Sequence, residues 1–176
     1  VLNSSFFFIL DAKFRLNNYN GLSHDLKDDA RKLTSQVIEF SVEFPKEEIA
    51  ERLQVKVTTP IYKIIRLRLI DDKPYVLEHT YMPCDLAPGL NEEVLKKSVY
   101  GFLLDQLGLK FAGSYRHITA EKPDTYDKDY LDCDECDPIL QVEQVVYLEN
   151  GRPIEYSRSR NRFDTRGYSL LDVKNN

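Results

Sequence analysis

The dipeptide Asn150-Gly151, set between two runs of alternating apolar and polar residues, constrains this chain more than any other feature. Asn-Gly reaches the positive backbone angles of a tight hairpin turn at little steric cost. Residues 139–149 and 152–163 are therefore expected to be antiparallel neighbours. With a two-residue loop, Glu149 pairs with Arg152 and Glu155 falls opposite Val146. Glu155 then shares a face with Val142 and Leu140, while Arg158, Arg160 and Arg162 occupy the other face, with Glu143 across from Arg158. The first face reads as buried and the second as solvated. A carboxylate aimed into an apolar face is costly without a partner, so Glu155 needs either a protein cation or the hydroxyls of a bound ligand.

A second hairpin is expected from residues 61–70 and 74–81 around Asp71-Asp72-Lys73. Strand alternation puts Ile65, Leu67 and Leu69 on one face, and Arg66 and Arg68 on the other with Tyr62 and Ile64. Residues two apart on one strand lie about 7 Å from each other. Two guanidiniums at that spacing either grip one multivalent anion, whose oxygens match arginine's planar fork, or decorate a solvated outer face. A three-residue loop places Arg66 opposite Glu78; a two-residue loop sends Glu78 to the other face. The spacing alone leaves both open.

The remaining elements are read more coarsely. Helices are expected at residues 25–33, at 45–53 with Pro45 in the first helical position, at 91–96, at 98–107 ahead of Gly108, and at 126–131. Strands are expected at 37–44, at 110–120 and at 168–173. Ser98 sits where a helix begins, as an ordinary N-cap or as part of an anion-binding turn. Helices and hairpins are interleaved with few parallel crossovers, which indicates an α+β fold with a mainly antiparallel sheet and flanking helices.

Composition narrows the chemistry. Twenty-four basic against 29 acidic residues leave a net charge of -5, unlike the basic surfaces that grip nucleic acid. No apolar run in the sequence reaches the roughly 18–20 residues of a membrane span, so no membrane partner is expected. Cys133 and Cys136 have CxxC spacing but stand among acids, with no second pair for zinc. They read as reduced thiols, in keeping with a cytoplasmic setting. No nucleophile–base pair, metal set or cofactor motif emerges, and His24, His79 and His117 read as surface or polar-packing residues. No catalytic residue, metal or cofactor is therefore expected.

Several words of the sequence, taken in order, carry a resemblance: Pro60-Ile61-Tyr62 leading to Arg66-Leu67-Arg68, Leu77-Glu78-His79-Thr80-Tyr81-Met82-Pro83, Ser98-Val99-Tyr100, Pro138-Ile139-Leu140-Gln141-Val142-Glu143, and Gly151-Arg152-Pro153-Ile154-Glu155-Tyr156-Ser157. Together they resemble the UTRA effector-binding domain of the HutC branch of GntR-type bacterial transcription regulators, from about residue 22 to residue 173. The resemblance implies a chorismate-lyase-like fold and a small-molecule pocket that controls a winged-helix DNA-binding domain preceding this chain. Residues 1–21 would be the end of the wing and the interdomain linker, and residues 22–173 the effector-binding domain. In sugar-phosphate-responsive members the phosphate-binding positions correspond here to Leu22, Ser23, Arg66, Arg68, Ser98 and Tyr100. The sugar-binding glutamates correspond to Glu78 and Glu155. Asn161 stands where the family often has an aromatic residue, on the Glu155 face. The implied partners are a sugar-phosphate effector, a second copy in a homodimer, and operator DNA through the missing domain. The chain begins at Val1 without Met and is expected to be a piece of a longer regulator. Two other readings compete: an enzyme, since the implied fold also occurs in a lyase, and a purely structural dimerisation module.

Overall fold

The computed structural model describes residues 31–168. Six strands, β1 (Leu33–Glu43), β2 (Ile61–Ile70), β3 (Lys73–Pro83), β4 (Phe111–Glu121), β5 (Ile139–Leu148) and β6 (Pro153–Arg162), form one antiparallel sheet in the order β1-β2-β3-β6-β5-β4. Short helices flank it: α1 (Glu47–Leu53), α2 (Glu92–Leu95), α3 (Val99–Gly101) and α4 (Thr125–Tyr130). The expected α+β architecture is found. The β2–β3 and β5–β6 hairpins meet where β3 pairs with β6, so Glu78 stands beside Ser159.

The β5–β6 loop is one residue longer than expected and the β2–β3 loop takes the shorter of the two lengths left open, and in both a bulge sets the register. Asp71 and Asp72 alone make the β2–β3 turn, each at positive φ (51° and 62°). Ile70 thus pairs with Lys73 rather than Pro74, yet Tyr75 is bulged out and Arg66 still faces Glu78. At the other hairpin the loop has three residues, Glu149, Asn150 and Gly151, closed by the Gly151 N–H donating to the Leu148 carbonyl at 2.8 Å. Ile154 is then the extra residue, and Val146 still faces Glu155. A bulge puts two residues against one, which reverses the side-swapping that a changed loop length would cause.

Other boundaries shift. Pro45 precedes the helix it was expected to open: α1 begins at Glu47, and the Lys46 carbonyl accepts the first helical bond, from Ala50. The expected helix at 25–33 falls outside the described residues except at its end, where Leu33 is a strand residue paired with Ile70. The expected 98–107 helix is a single α-turn capped by Ser98 that widens into a π-helical turn over Phe102–Gln106. The expected strand at 168–173 lies outside the described residues beyond Tyr168, which is itself irregular.

The two faces of the sheet are covered differently. On one, α2, α3 and the π turn lay Leu95, Val99, Phe102 and Leu103 over Ile64, Met82, Val146 and Ile154. The other face carries two smaller clusters. Under α1, Ile49 and Leu53 pack on Ile61, Tyr81, Val145 and Tyr156. Beside α4, Leu131 and Cys133 pack on Ile65, Leu67, Leu77 and Ile139. The face of Arg158, Arg160 and Arg162 is thus not simply solvated. Arg160 is buried, because α4 sets Asp127 against it. Burial also pushes the Cys133 thiol pKa up, the reverse of what an activated redox thiol requires.

Candidate functional site

The alternation of β2 turns Arg66 and Arg68 toward the α2–α3 face, where both are buried, at 8% and 4% exposure. The solvated-face alternative for the two arginines therefore fails. Their counter-ion is Glu78 on β3: Oε2 accepts from Arg66 Nε at 3.0 Å and Nη2 at 2.6 Å, and lies 3.8 Å from Arg68 Nη1. Arg66 Nη1 donates to the Leu95 carbonyl at 2.9 Å, tying the strand to the segment just ahead of Ser98. Burial pushes the Glu78 pKa up, but Arg66 and Arg68 beside it outweigh burial and hold it below the usual carboxylate range. Burial, with the Arg66 charge adding to it, pulls Arg68 down to about 10 against the attraction of Glu78, so it stays protonated at neutral pH.

Glu155 has no such cation among the described residues. It is 6% exposed on β6, and its Oε1 accepts from the Ser157 hydroxyl at 2.7 Å, the Tyr100 hydroxyl at 3.2 Å and Gln144 Nε2 at 3.4 Å. Burial raises its pKa; the bonds from Ser157 and Tyr100 oppose the rise and the charge of Glu78 adds to it. Tyr100 shifts well above the ordinary phenol, first through burial and then through the neighbouring carboxylate.

The α3 turn delivers Tyr100 to this spot. Ser98 caps the turn, its Oγ accepting from the Gly101 N–H at 3.0 Å. The approach is tight: a Cβ on Gly101 would come within 3.2 Å of the Ser98 oxygen. Asn161 lies fully buried on the same sheet face and donates Nδ2 to the Leu140 carbonyl at 3.1 Å, while its Oδ1 has no partner among the described residues. Leu22 and Ser23 lie outside the described residues.

The predicted residues thus fall into two groups on one face, the Arg66–Arg68–Glu78 group and the Tyr100–Glu155 group. Three contributors went unpredicted. Ser157 and Gln144 were within reach, since alternation puts Ser157 on the Glu155 face and the hairpin register sets Gln144 opposite it. Arg116 of β4, which donates Nε to Gln144 Oε1 at 2.6 Å, carried no sequence signal, because no hairpin turn ties β4 to β5. A cleft of about 430 Å³ lies apart from these groups, on the α1 side of the sheet, lined by residues including Arg52, Tyr115 and Tyr147.

Paired arginines and a desolvated carboxylate thus share one helix-covered face of the sheet. The UTRA domain model matches residues 29–165, and the chain belongs to the UTRA family. It is 48% identical over 148 residues to the HTH-type transcriptional regulator GmuR of Bacillus subtilis, covering 84% of this chain and 62% of that protein. Among solved structures, a GntR-family transcriptional regulator from Bacillus cereus superposes with a TM-score of 0.73 at 36% identity, over 80% of this chain and 99% of that one. The effector-binding domain of the B. subtilis trehalose repressor TreR does so with a TM-score of 0.73 at 27% identity, over 81% and 99%. These relatives are transcription regulators and their effector-binding domains, not enzymes. The chain spans about three-fifths of the length of the curated relatives it matches.

Proposed function

We propose that this chain is the ligand-sensing part of a transcription regulator, a repressor of carbohydrate uptake or catabolism genes, and that its effector is a phosphorylated sugar. The observation that carries the reading is the polarity of one buried face. Arg66 and Arg68 supply donors for phosphate oxygens, and Glu155 supplies an acceptor for sugar hydroxyls. In this reading Leu22, Ser23, Arg66, Arg68, Ser98 and Tyr100 hold the phosphate, and Glu78, Glu155 and Asn161 face the sugar. Residues 1–21 lead from a winged-helix domain, residues 22–173 form the sensing unit, and the whole acts as a cytoplasmic homodimer on operator DNA. The likeness to the trehalose repressor's effector-binding domain supports the sugar class.

Coupling follows from Arg66. A phosphate drawing on Arg66 competes with Glu78, and any shift of Arg66 reaches α2 and α3 through the Leu95 carbonyl. A ligand can bias operator binding only by preferring one arrangement of sensing domain and linker over the other. Isothermal titration with hexose and disaccharide 6-phosphates tests the reading. At least one should bind the wild type and lose at least about tenfold in affinity in Arg66→Ala, the scale of a charge-assisted hydrogen bond. Negligible heats across the panel for both proteins would refute it.

A further inference from the structure

The role of Glu155 depends on which of its oxygens is available, and that is decided by Tyr100 together with two residues outside the ligand-contact set above, Ser157 and Gln144. Three donors converge on Oε1, from Ser157, Tyr100 and Gln144. Among the described residues none donates to Oε2. Gln144 can serve as a donor here only if its amide is turned one way, since carbonyl and NH₂ ends are nearly the same shape. Arg116 settles the matter. Its guanidinium has donors only, so the Gln144 atom 2.6 Å from Arg116 Nε must be the carbonyl oxygen. The NH₂ end then faces both Tyr100 Oη, at 3.2 Å, and Glu155 Oε1. Tyr100 accepts from Gln144 and so spends its own proton on Glu155, which leaves the backbone N–H of Tyr100, not its hydroxyl, for the phosphate contact of the sugar-phosphate reading.

We infer that Gln144, locked by Arg116, is a positioning residue: it commits Glu155 Oε1 and the Tyr100 hydroxyl to each other and leaves Glu155 Oε2 as the acceptor for a ligand hydroxyl. The chain of contacts runs from the edge strand β4 through β5 to β6 and α3, so three elements fix one carboxylate of β6. The inference deepens the sugar-phosphate reading and rests on it for the identity of the ligand, but the geometry of Glu155 is testable without any ligand. Among the described residues, the charged and titratable groups that bear most on Glu155 are Tyr100 from α3, Glu78 from β3 and, through Gln144, Arg116 from β4.

The test is a carboxyl-carbon NMR titration of Glu155, assigned with Glu155→Gln, in the wild type and in Gln144→Met, Gln144→Glu and Arg116→Met. Removing the Gln144 donor should raise the Glu155 midpoint by at least about half a pH unit. Gln144→Glu preserves shape and the Arg116 contact but sets a like charge beside Glu155, and should raise it further. Arg116→Met, which frees the amide to turn, should raise it by less than Gln144→Met. An unchanged midpoint in the Gln144 variants would overturn the inference. A second arm measures glucose 6-phosphate and inorganic phosphate by calorimetry. The ratio of their affinities should fall about fivefold in Gln144→Met, because inorganic phosphate offers Glu155 no sugar hydroxyl. An unchanged ratio in a wild type that binds both also overturns it. If the wild type binds neither, the ratio is measured with the panel of hexose and disaccharide 6-phosphates above; failure of the whole panel refutes the sugar-phosphate reading instead, and the NMR arm still decides the positioning role.

Discussion

The sheet carries arginine–carboxylate clusters on both faces, and they are built on different principles. On the α4 side Asp127, fully buried, faces Arg160 with Nε at 2.9 Å from both its oxygens and Nη2 at 2.6 Å from Oδ2. Arg160 Nη1 also donates to Gln141 Oε1 at 2.7 Å and Nη2 to the Lys122 carbonyl at 3.0 Å. Every guanidinium nitrogen is matched, and Asp127 also accepts from the Asp124 N–H within the capping box of α4. On the α2–α3 side, two guanidiniums share one oxygen of Glu78, and Glu155 is buried with neutral donors alone. The first cluster is closed on itself and pins a helix to the sheet. The second holds a carboxylate desolvated without a cation among the described residues, an arrangement that costs stability and is concentrated at functional sites.

Substitutions should separate the two. The largest effect is expected from Asp127→Ala, which strands a buried guanidinium and should cost about 3–5 kcal/mol in urea unfolding. His79 comes next. It is buried edge-on to Tyr126, and burial together with Arg158 lowers its pKa to about 4 from an ordinary 6.5. A basic group with a depressed folded pKa contributes stability that is present above 6.5 and is lost as pH falls toward 4. The loss is on the order of 3 kcal/mol. His79→Phe should flatten that limb of the stability–pH curve, read by denaturation at about pH 4.5 and 7.

Glu155→Gln sharpens the comparison, because its sign is opposite to that of Asp127→Ala. The raised folded pKa of Glu155 means that the native state holds its proton more tightly than the unfolded chain. Ionisation therefore erodes stability as pH rises from the unfolded value through the folded one. At neutral pH the uncharged amide should stabilise the fold by about 1 kcal/mol while weakening sugar-phosphate binding. Destabilisation by Glu155→Gln on the scale of Asp127→Ala would erase the distinction between the clusters. The smallest effect is expected from Gly101→Ala, which crowds the Ser98 cap and should change stability by less than about 1 kcal/mol in the same assay.

Much of this face is legible in the sequence because strand alternation survives small errors in loop length. Alternation places Arg66, Arg68 and Glu155 correctly although the β5–β6 turn is one residue longer than expected and the β2–β3 turn has the length expected to send Glu78 to the other face, since the bulges at Tyr75 and Ile154 set the pairing. Bulges leave little trace in residue type, so the pairing of Arg66 with Glu78 comes out right for a reason that the residues do not reveal. The face of Arg158, Arg160 and Arg162 looks solvated from alternation for a different reason. Its cover, α4, lies near Arg160 only through tertiary packing, and no local pattern announces that Asp127 will reach across. Arg116 is invisible on the same grounds, for β4 joins β5 through the α4 segment rather than a turn.

The central claim, that one cluster receives ligand and the other only holds the fold, is tested most directly by following arginine Nε–Hε signals in ¹⁵N-labelled protein during titration with a phosphorylated sugar. The Arg66 and Arg68 signals should move in step with saturation while the Arg160 signal stays in place. Saturable binding that moves Arg160 and leaves Arg66 and Arg68 unchanged would contradict it.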